Sequence, residues 1–424
     1  MIWLFIASLF SMLLIGVPVA ISMLISAVVL LVTLGLFDTG ILGEYLIKGA
    51  NSFSLMAIPF FILTGEIMNV GGVSKRIVDF ATSLVGHIRG GLGYVVIIAG
   101  VIFAGLSGSA VADTAALGAI LIPMMISKGY NKNRATGLTA ATGIIGTIIP
   151  PSIPMILFGV VGGVSITKLF MAGIVPGILI ALGLMVVWFF VAKRDESETM
   201  AKATGKERWT AFVRAFWALL LPVIIIVGLR GGIFTPTEAG VVAAVYALII
   251  SIGYREMKLV ELPKVFVETA KTTGITMFVA ATAIVSGYAI TVGQIPRQLG
   301  EFLSGMTTNP TLLLLIIMLF LLIVGCVMDL TPAILIFTPV LLPVVKAVGI
   351  DPVYFGLLMV INLSIGLITP PVGTVLYVGA GISKISMVEI TKGIWPFLAV
   401  QFGILILLVL FPGLVTVPME WFIK

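Results

Sequence analysis

GIIGTIIPPSIPMILFG (residues 143–159) and LSIGLITPPVGTVLYVG (residues 363–379) decide how this chain folds. Each is an apolar run broken by a Pro-Pro pair with a glycine four residues before it. The two runs register at one spacing. Gly146 pairs with Gly366, Ile148 with Ile368, Pro150 and Pro151 with Pro370 and Pro371, and Gly159 with Gly379, all 220 residues apart. The same spacing pairs Gly105 with Gly325, Pro123 with Pro343 and Gly129 with Gly349. Proline withholds its amide donor and clashes with the carbonyl four residues back, and glycine lets the backbone leave helical geometry. Interrupted hydrophobic segments at matching positions of two halves mark the binding site of a secondary transporter.

Composition places both runs in a bilayer. The 424 residues are 60% hydrophobic and 10% charged, against roughly 25% charged in soluble domains. Runs of the ~20 apolar residues a spanning helix needs recur along the chain. The N-terminal run carries no charge before Asp38. It is too long for a signal-peptide core and lacks a basic lead, so it reads as a retained first helix. One cysteine, Cys326, excludes disulfides within the chain, and one histidine, His87, cannot build the usual zinc site. The net charge of +6 reads as loop bias from topology rather than a nucleic-acid footprint.

Charged residues cluster into short loops. KGYNKNR (128–134), KRDESETMAKATGKER (193–208) and the segment 254–271 are basic, which favours the cytoplasm. The partner of the first, around Lys346–Asp351, carries one charge of each sign, as two halves of opposite orientation require. The expected organisation is an N-terminal scaffold helix (1–37), repeat one (38–192), a cytoplasmic loop with a linking helix pair (193–256), and repeat two (257–424). Within the repeats, ILGEYLIKGANSF and ELPKVFVETAKTTG are amphipathic. They are either helices lying in the membrane interface or ordinary helix ends beside loops.

Each proline break follows a second interruption in its own half. In FAGLSGSAVADTAALGAILIPMM (103–125), Asp113 is the only ionisable side chain between Tyr94 and Ser127. Facing lipid it would cost ~2.5–3.5 kcal/mol, so it faces protein, water or an ion. Ser107–Ser109 suits a turn and Ser109 a helix cap, which describes a hairpin that enters the membrane and returns without crossing. The second copy, VGCVMDLTPAILIFTPVLLP (324–343), places Asp329 at the position of Ser109, and Thr331-Pro332 reads as a helix start. The bland alternative for Asp113 and Asp329 is a buried cap with no ligand. At the proline breaks, the carbonyls freed around Gly146–Ile149 and Gly366–Thr369 need partners. Together with Thr147, Thr369 and the Asn362 amide they offer the oxygen set that sodium takes. The half-helices that restart after each break aim free amides and positive dipole ends inward, where Pro150, Pro151, Ser152, Pro370 and Pro371 become candidate contacts for an anionic substrate.

IPFFILTGEIM (58–68), GHIRGGLGY (86–94), SGSAVADTAALG (107–118), GTIIPPSIPMILFG (146–159), FTPTEAG (234–240) and GLITPPVGTVLYVG (366–379) together resemble the large membrane subunit of tripartite ATP-independent periplasmic (TRAP) transporters, over essentially the whole chain. The resemblance implies an all-α integral membrane protein of inverted-repeat, elevator type, with two re-entrant hairpins and two discontinuous helices moving inside a static scaffold. It implies sodium-coupled uptake of an organic acid, of the sialic acid or C4-dicarboxylate class, across a bacterial inner membrane. A soluble periplasmic binding protein would deliver the substrate, and a small membrane subunit of about four helices, on a separate polypeptide, would brace the scaffold. Family roles carry onto Ser107, Ser109 and Asp113 in the first hairpin and onto the Gly146–Ser152 and Gly366–Pro371 breaks. The full set of sodium candidates is Ser107, Gly108, Gly146, Thr147 and Ile149 in one half, and Gly325, Asp329, Asn362, Gly366 and Thr369 in the other.

Other classes fit less well. A primary pump needs a phosphate-binding loop, and no G-x-x-x-x-G-K-[ST] occurs. An intramembrane enzyme needs a nucleophile with a base or metal, which a lone loop histidine does not supply. A channel can contain re-entrant hairpins, but a duplicated hairpin-plus-break pair fits alternating access better. The nearest competitor is an elevator-type sodium–anion symporter that works without a binding protein.

Overall fold

The structure, a computed structural model, describes residues 1–193, 198–307 and 309–423. Residues 194–197 of the polar loop lie outside them. The described residues are helical, and nine helical stretches among them are long and apolar enough to cross a membrane.

The N-terminal region is two helices where the sequence suggested one. α1 (Ile2–Leu14) and α2 (Val19–Thr33) pack on each other. Gly16 takes a left-handed φ of +86° and Pro18 starts α2, so the chain turns where neither residue supports a continuing helix. After α3 (Thr39–Ala50) come α4 (Ala57–Val70) and α5 (Val73–Val85). Then α6 (Gly91–Ser107) and α7 (Ala110–Ser127) form the first hairpin, followed by α8 (Lys132–Gly143) and a tight turn, Ile144–Thr147. Beyond the prolines run α9 (Ile153–Gly162) and α10 (Ile166–Ala192). The linking pair is α11 (Gly205–Arg230) and α12 (Pro236–Gly253), each opened by a capping box, Thr204 with Glu207 and Thr235 with Glu238.

Repeat two begins with α13 (Leu262–Val292), then α14 (Ile295–Met306), α15 (Pro310–Val327), α16 (Leu330–Ala347), α17 (Pro352–Gly366), α18 (Thr374–Ser383), α19 (Met387–Leu410) and α20 (Gly413–Ile423). The 220-residue spacing survives in the helix starts. Ala110 matches Leu330 and Lys132 matches Pro352, and their caps Ser109 and Asn131 match Asp329 and Asp351. The repeats differ at their beginnings. Repeat one breaks between α3 and α4, whereas α13 runs unbroken through the equivalent positions. ELPKVFVETAKTTG is therefore the start of a long helix, not a separate interfacial one. The strongly two-sided helices are α5 and α14. In α5, Val73, Ile77, Val78 and Ala81 are buried and Lys75 and Asp79 are exposed. Arg76 bonds Glu256 at 2.6 Å and stacks 3.8 Å over Tyr254, fixing this helix against the end of α12.

Packing sorts the helices into two bodies. α4 lies against α12, and α13 against α2, α3 and α4. The other body interlocks the two repeats: α18 packs on α7 and α8, α19 on α8, and α9 on α16 and α17. The seam between the bodies runs where α4 meets α6 and where α13 meets α9 and α16. Two basic loops share one end of the molecule, since Lys128 pairs with Glu198 at 3.0 Å and Arg89 donates to the Lys193 carbonyl.

The second hairpin presses backbone against backbone. A Cβ added at Gly366 would lie 2.6 Å from both the Cα and the carbonyl carbon of Gly325, while one at Gly325 would lie 3.2 Å from the Gly366 Cα. Backbone cannot swing aside as a flexible side chain can. Gly366→Ala is expected to destabilise the protein by about 1–3 kcal/mol, and Gly325→Ala by less. Thermal unfolding of both variants in detergent checks the order; equal midpoints would contradict it.

Candidate functional site: a cavity at the seam

Both hairpin tips reach the seam. α6 ends at Ser107, and Gly108 turns the chain with φ +66°, a conformation that favours glycine. The room is as restrictive as the angle, because a Cβ on Gly108 would sit 2.7 Å from the Pro151 carbonyl oxygen. The first tip is thus pressed onto the first break. Ser109 then caps α7, its hydroxyl accepting from the Ala112 amide. At the second tip the backbone is extended at Met328, and the cap position belongs to Asp329. Helix α16 starts at Leu330, so the cap read at Thr331 lies two residues earlier, about half a turn. Asp329 makes no capping bond; it accepts from the Thr374 hydroxyl at 3.3 Å, tying this tip to α18 beyond the second break.

A cavity of about 300 Å³ opens between these tips and the scaffold. On the hairpin-bearing body the candidates Ser107, Gly108, Ser109, Thr147 and Asp329 line it, with Thr331 and the first turns of α7 and α9. The opposite wall comes from residues that sequence reasoning did not single out: Glu66 on α4 and Thr272 and Thr276 on α13. Among the described residues its charged lining is two carboxylates, Glu66 and Asp329, with no lysine or arginine.

The other candidates lie off this wall. Pro150, Pro151, Pro370 and Pro371 end their helices without lining the cavity, and both Pro-Pro bonds are cis. Ser152 is fully buried; its hydroxyl donates to the Thr147 carbonyl at 2.5 Å and accepts from the Met155 amide. It repairs the break and caps α9 instead of reaching the cavity. Asp113 stands one layer behind. It is 1% exposed, one carboxylate oxygen accepts from the Ser107 hydroxyl, and the other, Oδ2, has no partner among the described residues. A Cβ on Gly146 would collide with that Oδ2, so a bare carboxylate oxygen faces the backbone of the first break.

The sodium candidates fall into two unequal groups. Ser107 and Gly146 meet Asp113, and Gly108 and Thr147 line the cavity beside Ser107, whereas the Ile149 side chain packs on Gly177 of α10. In the second half, Gly325 meets Gly366, and the Val372 amide donates to the Cys326 carbonyl. Thr369 donates back to Ile365 at 2.7 Å. Asn362 precedes Gly366 by about one turn, roughly 6 Å along the helix. Its amide nitrogen donates to the Met318 carbonyl at 2.6 Å, and its Oδ1, the atom an ion would take, has no partner among the described residues.

Paired broken helices and hairpins around a seam cavity define a membrane transporter. A solved structure of the YdaH transporter of Alcanivorax borkumensis shares the fold, with a TM-score of 0.65 at 13% identity over 89% of this chain and 90% of that one. The family model described as "Tripartite ATP-independent periplasmic transporter, DctM component" matches residues 6–414. A TRAP large permease relative from Haemophilus influenzae is 63% identical over 94% of this chain and 100% of its own length. The 2,3-diketo-L-gulonate TRAP transporter large permease YiaN of Escherichia coli is 52% identical over 96% of each chain, and the sialic acid large permease SiaM of Vibrio cholerae 39% over 96% of each. The chain belongs to the DctM family of TRAP transporter large subunits. It is a multi-pass protein of the bacterial inner membrane, a transport subunit of a multi-component system and not an enzyme.

Asp113→Ala removes the one buried carboxylate that faces the first break. It is expected to abolish uptake while leaving membrane insertion intact, as measured by transport beside immunoblots of the membrane fraction. Wild-type uptake in this variant would end the assignment of a transport role to the first hairpin.

Proposed function

We propose that this subunit carries an organic acid together with sodium, the body bearing both hairpins moving against the scaffold as in an elevator. The observation that carries the reading is the charge of the cavity. A wall with two carboxylates and no basic side chain does not hold an anion unless cations arrive with it. Asp113 and the carbonyls of the first break offer such a cation oxygen atoms only, including the unpartnered Oδ2. The N-terminal first turns of α7 and α9 supply the amides that suit a carboxylate.

Membership of a tripartite family supports delivery by a periplasmic binding protein and bracing by a small four-helix membrane subunit. For the substrate we favour a sugar acid over a C4-dicarboxylate. Glu66, Asp329 and the neighbouring hydroxyls accept hydrogen bonds from sugar hydroxyls, whereas a second substrate carboxylate would meet like charge. Identity to the relative named for 2,3-diketo-L-gulonate exceeds identity to the one named for sialic acid, which points to keto sugar acids first. The driving force suffices. A tenfold sodium gradient is worth ~1.4 kcal/mol per ion and ~100 mV adds ~2.3 kcal/mol per net charge. One sodium with one net charge thus supports roughly 500-fold accumulation.

Proteoliposomes holding this chain and its small membrane partner test the reading. Diketogulonate, sialic acid and a C4-dicarboxylate are each supplied with or without a cognate binding protein, and with or without an inward sodium gradient. Uptake of a sugar acid that requires both sodium and binding protein is expected. Sodium-driven uptake without binding protein would instead make the protein a stand-alone symporter, and sodium-independent uptake would contradict the coupling.

A further inference from the structure

The hydroxyls of Thr147 and Ser364 lie 2.6 Å apart although 217 residues separate them in the chain. Thr147 closes the tight turn after α8, and Ser364 sits in the last turn of α17, so the bond joins the two broken helices directly. Both residues are buried, at 2% and 0% exposure. Thr147 lines the seam cavity and Ser364 does not. The repeat does not generate this pair. At the 220-residue spacing the mate of Thr147 is Leu367 and the mate of Ser364 is Ile144, neither of which has a hydroxyl. The link is made once, from the break that lines the cavity.

Its proton count is short by one. Thr147 Oγ1 lies 2.6 Å from the Ile144 carbonyl and 2.6 Å from Ser364 Oγ, and Ser364 Oγ lies 2.6 Å from the Val360 carbonyl. Each hydroxyl has one proton to donate, so two protons serve three contacts. If Thr147 donates to Ile144, Ser364 bridges to Thr147 only by releasing Val360. If Thr147 donates to Ser364, Ser364 keeps Val360 and the Ile144 carbonyl loses its hydroxyl. The two broken helices therefore hold alternative claims on one pair of protons.

We propose that Thr147 and Ser364 form the positioning link through which cation occupancy at the first break is felt at the second. The proposal rests on the sodium-coupled reading above. A cation drawn to the Thr147 oxygen polarises its O–H into a stronger donor. That favours the order Thr147 to Ser364 to the Val360 carbonyl, and bonds in such a chain strengthen one another. The loaded first break then holds the last turns of α17 in one arrangement, next to the contact between Gly366 and Gly325. Ser364 acts through Thr147 without touching the cavity.

The test is the sodium activation curve of uptake in proteoliposomes for wild type, Thr147→Val, Ser364→Ala, the double variant and Ser364→Thr. Half-activation by sodium is expected to rise about fivefold in Ser364→Ala, the worth of one neutral hydrogen bond. The double variant should be no worse than the poorer single one, because the link is lost only once. Ser364→Thr, which keeps the hydroxyl, should return the curve toward wild type; this rescue separates a lost proton from a lost fold. Sodium-dependent wild-type uptake with an unchanged curve in Ser364→Ala would overturn the link alone, as would single effects that multiply in the double variant. Wild-type uptake indifferent to sodium would overturn the coupling reading, and the link with it.

Discussion

Hydrocarbon has no hydrogen bonds to offer, so a chain that leaves helical geometry inside a membrane must repair its own backbone. The two proline breaks are built around that constraint. At the first, the amides of Ile148 and Ile149 both turn back to the Ile145 carbonyl, and the Ser152 hydroxyl takes up the Thr147 carbonyl. At the second, the Val375 amide reaches the Leu367 carbonyl across the prolines, and Val372 borrows the Cys326 carbonyl from the hairpin. A hairpin tip lies on each break, and at the second it supplies the carbonyl that the break takes. The same arrangement crowds polar atoms at the seam and leaves Asp113 Oδ2 without a partner among the described residues.

Duplication sets the frame, and departures from it assign the work. Ser109 caps α7, whereas Asp329 at the matching position turns to Thr374 and into the cavity. Repeat one is interrupted between α3 and α4, while α13 runs through as one helix and presents Thr272 and Thr276 to the cavity. The two halves thus contribute unlike walls to one chamber. Its lining among the described residues is hydroxyl-rich and acidic, the chemistry on which the proposed sugar-acid and sodium reading draws.

Much of this was legible in the sequence because breaks are local events. Proline, glycine and a charge in an apolar run act within a few residues, so both breaks, both tips and the isolation of Asp113 could be read without the fold. The opposite wall could not be. Glu66, Thr272 and Thr276 sit on helices whose facing depends on packing between distant segments. For Asn362 the residue type was legible but its neighbour was not: its nitrogen is held by the Met318 carbonyl on α15, which leaves Oδ1 unpartnered among the described residues. Two local signals were present and went unread. Gly16-Val17-Pro18 divides α1 from α2, and the alternation of Val73, Ile77 and Val78 with Lys75 and Asp79 marks α5 as two-sided.

The chamber itself is the central claim, and the chain's one cysteine makes it accessible to a direct measurement. With Cys326 replaced by serine, a cysteine at Thr276 would sit on the scaffold wall opposite both hairpin tips. The rate at which a small hydrophilic thiol reagent labels it, with and without transported acid and sodium, reports whether substrate occupies that space. The structure predicts labelling that is slowed by substrate only when sodium is present. Labelling indifferent to both, in a variant that still transports, would place the substrate elsewhere.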